Sequence, residues 1–191
     1  MILPIVAYGN PVLRKVSKDI DENYPLLDKL IEDMKETMKK ADGVGLAANQ
    51  IGKAIRLFVV DASGFAGNEK LKEEQRERLK SFKKTFINPY IIEETGEDIR
   101  FTEGCLSIPN INESVVRKNQ IKMKYLNENF EPKEEVFSGI ISRIIQHEYD
   151  HIEGVLFTDK VSSIKKKLLK NKLKKITDGK VNQPYLMEFY N

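Results

Sequence analysis

The chain has one cysteine, two histidines and no tryptophan in 191 residues. A lone cysteine, Cys105, excludes any disulfide within the chain. Its thiol is then a packed small hydrophobe, a reactive group or a metal ligand. The lack of paired cysteines suits a reducing compartment. The first ten residues lack a basic opening, and Pro4 interrupts a short apolar run there, so no secretory signal is read. No apolar run approaches the ~20 residues needed to span a bilayer. The expected location is the cytoplasm, with no membrane partner. A net charge of +3 is too small to argue for a nucleic-acid partner by itself.

What is present reads as a single domain, residues 1–191, with 40% hydrophobic and 32% charged residues. Leu26, Leu27, Leu30, Met34 and Met38 recur at spacings of three and four, which predicts a helix over 25–40. Asp42-Gly43 is expected to close it, with the glycine as cap. Residues 55–60 read as a strand, and 62–84 as a charged surface insertion. Tyr90–Glu94 and Asp98–Thr102 read as two strands joined at Thr95-Gly96. Ile121, Met123 and Tyr125 alternate with Lys122 and Lys124, as in a half-buried strand. Residues 139–152 form the strongest helix, with Ser138 as N-cap. Phe137, Ile140, Ile141, Ile144, Ile145, Glu148, His151 and Ile152 make one stripe, so its polar residues point toward the core. Strands followed by a central helix argue for an α+β fold.

That helix carries His147-Glu148-Tyr149-Asp150-His151. Histidines four apart on a helix share a face one turn apart, so both rings can reach one metal ion. Glu148 is placed to act on a water at such an ion. The plain alternative is two histidines at accidental spacing on a charged helix, but this face is apolar. A third protein ligand is needed. Zinc-protease patterns would put a histidine or aspartate at position 157, which is Phe157, or a glutamate in 160–180, where none occurs. The remaining soft ligand is Cys105, in Glu103-Gly104-Cys105-Leu106-Ser107. Gly43-Val44-Gly45-Leu46-Ala47-Ala48-Asn49-Gln50 is neither a phosphate loop nor a dinucleotide fingerprint. It reads as a tight turn where backbone can approach a ligand. Gln50 is a candidate donor to a developing oxyanion.

Taken together and in this order, the three segments resemble peptide deformylases. The family pattern is Gly-x-Gly-x-Ala-Ala-x-Gln, then Glu-Gly-Cys-x-Ser, then Gln-His-Glu-x-x-Asp-His, and residues 43–50, 103–107 and 146–151 fill every fixed position. Asn10-Pro11-Val12-Leu13-Arg14 is similar to the family's opening. The resemblance implies an α+β fold with antiparallel strands around the metal-binding helix. It implies removal of the formyl group from N-formyl-methionyl nascent peptides. Cys105, His147 and His151 would bind the metal, and Glu148 would be base and then acid. Gln50 and the Leu106 N–H would hold the oxyanion, and Gly45 would contact substrate through its backbone. The implied ion is ferrous iron, with zinc, nickel or cobalt as substitutes. Val44, Ile140 and Ile144 are the candidates for a methionine slot. Arg143 stands where relatives commonly have a short apolar side chain.

Nine lysines and a single acid, Asp178, fall between Lys160 and Lys180. Val161, Ile164, Leu168, Leu169, Leu173 and Ile176 predict an amphipathic helix within 158–180, closed by Gly179. Its lysine face is either simply solvated or a contact with ribosomal RNA. Two other readings are an HExxH metallopeptidase and a non-catalytic metal- or RNA-binding module. The tail from Val181 onward shows no chemistry.

Overall fold

A computed structural model of the chain describes residues 1–190. Its frame is a five-stranded antiparallel sheet of β2 (Gly45–Ala47), β3 (Leu57–Asp61), β4 (Lys83–Cys105), β5 (Ile108–Leu126) and β6 (Pro132–Ser138), hydrogen-bonded in that order. A two-stranded parallel pair joins β1 (Ile5–Val6) to β7 (Met187–Glu188). The helices are α1 (Leu27–Lys40), α2 (Glu73–Ser81), α3 (Gly139–Ile152) and α4 (Ser163–Thr177). The α+β expectation holds, with α3 packed against β2, β3, β5 and β6.

β4 and β5 form one long hairpin whose closed end is the Cys105–Ile108 turn. The two strands expected around Thr95-Gly96 are a single one. Gly96 takes φ 78°, and the register slips between Thr95 and Asp98, so the glycine makes a bulge rather than a turn. Along β5, Ile121, Met123 and Tyr125 face the core, as their alternation requires. Helix α1 stops at Lys40, and the left-handed residue after it is Asp42 (φ 56°), not Gly43. Gly43 is needed for a different reason: a Cβ there would lie 2.8 Å from Leu106 Cδ1.

The segment 62–84 is less of a surface insertion than its charge suggests. Leu79 of α2 is buried, and Phe65, Leu71 and Phe82, on either side of the helix, pack against the main core, while Lys83 and Lys84 already belong to β4. Ser138 stands at the N-cap of α3, but its side chain makes no capping bond. From α3, Ile141, Ile145 and Ile152 are buried in or beside the core of Phe58, Phe86 and Phe137. That packing holds the last two turns of α3 over the mouth of β2 and the hairpin turn.

Candidate active site

The site is built where the hairpin turn meets α3. The ligand atoms of Cys105, His147 and His151 lie within 4.8 Å of one another. Cys105 Sγ is 3.2 Å from His151 Nε2. His151 is buried, and its Nδ1 has no protein partner. His147 turns Nδ1 to Glu103 Oε2 at 3.0 Å, which fixes its ring and frees the other nitrogen. One thiol and two imidazoles in that span fit a divalent ion of the iron or zinc kind, with room left for water or substrate. The chemistry of the donor set carries the fit: a soft thiol and a His151 Nε2 already turned toward it, with His147 held by Glu103 through its other nitrogen.

Glu103 was visible only as part of a motif; its work becomes clear in three dimensions. Its carboxylate accepts from Arg117 Nε at 2.7 Å and Nη2 at 2.9 Å, and from Arg143 Nη1 at 3.0 Å. Arg117 Nη1 also donates to Asp150 Oδ2 at 2.6 Å. Burial disfavours the charge on Glu103, but Arg117 and His147 more than offset it and hold the carboxyl well below the usual range. Arg143 is thus a pocket position whose charge is committed to Glu103. It is buried, donates to the Ile99 carbonyl at 2.5 Å, and lies along the cavity wall. Nothing in the sequence marks Arg117, which sits in a strand rich in exposed cations.

Burial opposes protonation of His147, but its bonds to Cys105 and Glu103 favour it more strongly, so its pKa rises. His151 moves the other way, through burial and then the nearby His147. Glu148 is pushed up to about 7, chiefly by burial. A carboxyl near neutrality can both take and return a proton. Its Oε2 has no protein partner. Gly45 backs directly onto it: a Cβ there would lie 2.7 Å from Glu148 Cγ and closer still to the carboxylate. Position 45 must therefore lack a side chain.

Gln50 accepts from the Ala47 N–H at 2.9 Å through Oε1. Its Nε2 is thereby aimed at Cys105 Sγ (3.6 Å) and Ser107 Oγ (3.4 Å). A cavity of about 350 Å³ opens beside these groups. Val44, Gly45, Gln50, Cys105, Leu106, Ile144, His147 and Glu148 all line it. Ile140 does not: it sits one turn earlier on α3 and packs against the core cluster. His151 is likewise absent from the wall, buried behind Cys105. Phe65, from the charged segment, and Gln183, Pro184 and Tyr185, from the tail, complete the wall without any sequence signal.

A sequence model of the polypeptide deformylase family matches residues 2–167. The chain belongs to that family. The peptide deformylase of Christiangramia forsetii is 55% identical over 191 residues, covering 100% of this chain and 97% of that protein. That of Flavobacterium johnsoniae is 56% identical, over 99% and 96%. Among solved structures, a peptide deformylase from Legionella pneumophila superposes with a TM-score of 0.80 at 34% identity, over 96% of this chain and 100% of that one. One from Plasmodium falciparum gives 0.78 at 34%, over 92% and 95%. The chain is therefore a peptide deformylase, a metal-dependent hydrolase that removes the N-formyl group from nascent polypeptides. The peptidase and binding-module readings fall with that assignment. Among the described residues, no helix is long and apolar enough to cross a membrane.

Proposed function

We propose that Cys105, His147 and His151 hold the metal, that Glu148 carries the proton, and that Gln50 and the Leu106 N–H receive the charge that develops on the formyl oxygen. The observation that carries this reading is convergence. The unpartnered Glu148 carboxylate, the Gln50 amide, Cys105 and His147 meet on one cavity, and the ligand atom of His151 lies within 4.8 Å of those of Cys105 and His147. When bound, the ion polarises the formyl carbonyl and makes water acidic enough to attack near neutral pH. Glu148 takes the proton from the attacking water and delivers it to the leaving amine. Gln50 Nε2 and the Leu106 N–H stabilise the oxyanion; losing one such donor costs about a hundredfold or more. Gly45 contacts the peptide through its backbone, and Val44 and Ile144 flank the methionine side chain.

Ferrous iron is the proposed native ion, with zinc, nickel or cobalt able to replace it. A thiolate with two imidazoles suits all four. Residues 1–191 act as one catalytic domain in the cytoplasm. The lysine face of α4 is a proposed ribosome contact. Lys166, Lys167, Lys170 and Lys174 border one groove there, which supports an anionic partner.

The deciding experiment measures formate release from a formyl-Met-Ala peptide by anaerobically prepared, iron-loaded protein. Glu148→Ala should lower the rate by about 10²–10⁴-fold with metal content unchanged. A Glu148→Ala protein of near wild-type rate would remove Glu148 from the mechanism.

A further inference from the structure

The chain after α4 turns back across the site. Asn110 Nδ2 donates to the Asn182 carbonyl at 3.1 Å. Beyond it, Ile5 N–H donates to the Leu186 carbonyl at 3.0 Å and Ala7 N–H to the Glu188 carbonyl at 2.8 Å, tying the tail into the β1–β7 pair. Between these anchors, Tyr185 Oη donates to the Leu106 carbonyl at 2.8 Å. The next carbonyl, that of Ser107, accepts from Tyr8 N–H at 2.8 Å. The turn that carries Leu106 is thus tied at two successive peptide groups by residues far away in sequence. The direction of the N–H groups in this turn depends on how firmly those peptide groups are held.

We propose that Tyr185 is a positioning residue for deformylation: by holding the Leu106 carbonyl it fixes the Leu106–Ser107 peptide plane, and through the shared Leu106 Cα it limits the swing of the preceding peptide plane, whose N–H is aimed at the formyl oxygen. The proposal rests on the reading of that N–H as an oxyanion donor. A donor stabilises developing charge in proportion to how well it is aimed beforehand. Displacements of an ångström at such a site cost up to about a hundredfold. Loosening a donor without removing it should cost less than that. Tyr185 also lines the cavity, so a direct contact of its hydroxyl with the peptide would appear in KM, whereas an effect passed through the turn appears in kcat.

The test compares Tyr185→Phe, which keeps the ring and deletes the hydroxyl, with Leu106→Pro, which deletes the N–H itself. Full-length cobalt-loaded proteins are used, so that the thiolate-to-cobalt absorption reports the metal centre. Tyr185→Phe is expected to lower kcat about tenfold, with KM within about twofold and the cobalt spectrum unchanged. Its affinity for a peptide hydroxamate, whose carbonyl oxygen takes the place of the formyl oxygen, should fall in parallel. A kcat and hydroxamate affinity within twofold of wild type in Tyr185→Phe overturn the brace. If Leu106→Pro with an unchanged cobalt spectrum still loses a hundredfold, the oxyanion reading survives that failure. If Leu106→Pro keeps its kcat, the oxyanion reading itself falls and takes the brace with it. Should Leu106→Pro not load cobalt, the Tyr185→Phe kcat and hydroxamate arms alone decide the brace.

Discussion

Helices α3 and α4 carry the same kind of apolar pattern, yet they meet opposite fates. On α3, Ile141, Ile144, Ile145 and Ile152 are all buried. On α4, Leu169 and Ile176 are buried, while Ile164 is 74% and Leu168 72% exposed. The difference lies in the neighbours. α3 threads between strands on several sides, whereas the chief sheet contact of α4 is β5. Periodicity reveals that a helix has an apolar face; how wide a face is covered depends on how many elements surround it. α3 is thereby a rigid mount for catalytic groups, and α4 a lightly attached cover.

The largest effect should come from the ionic core that α3 shares with the hairpin. Arg117→Met takes from Glu103 its two-pronged partner, leaving it Arg143 and His147, and from Asp150 all but Lys160; breaking a buried pair this way costs about 3–5 kcal/mol, read from urea denaturation. Ile145→Ala, deep under α3, should cost about 2–5 kcal/mol by the same measurement. Gly45→Ala should leave stability closer to wild type but lower kcat/KM about a hundredfold, because its methyl displaces Glu148. Leu168→Ala on the exposed face of α4 should change stability by no more than about 0.5 kcal/mol. A cost like that of Ile145→Ala would abolish the distinction between the helices.

Another small effect, confined to low pH, lies at their junction, where Arg14 pairs with Asp159. Partial burial raises the Asp159 pKa, but Arg14 and the Leu156 N–H lower it further than burial raises it. A lowered folded value means the pair stabilises above the ordinary aspartate pKa and loses its effect as pH falls through the folded one. Asp159→Asn should therefore flatten the stability curve only below about pH 4. The change should stay under about 1 kcal/mol, since both partners are more than a third exposed.

The chemistry was legible where it is local. His147, Glu148 and His151 lie within one and a half turns of a helix, so spacing alone sets their geometry. Cys105 and Gln50 stand in compact motifs with few other partners available. Arg117 was not legible, because one buried arginine among exposed lysines on a strand looks like any of them until Glu103 and Asp150 are seen facing it. Gly96 was misread because a bulge and a turn use the same positive φ, and only the partner strand distinguishes them. Ile140 shares the stripe of Ile144, but a one-turn offset takes it from the cavity wall into the core. Tyr185 is one of three aromatics in the tail, with Phe189 and Tyr190, and only its hydrogen bond to Leu106, 79 residues away, sets it apart.

The pairing of β1 with β7 has a consequence in time. Gln183, Pro184 and Tyr185 leave the ribosome after every other residue that lines the cavity, and they can dock only against a β1 already in place. Refolding should mirror that sequence of events. Long-range closures are slow to form, so tyrosine fluorescence and cobalt uptake should recover before full turnover does. The interval between them would measure how long the enzyme exists as a metal-loaded but unfinished catalyst.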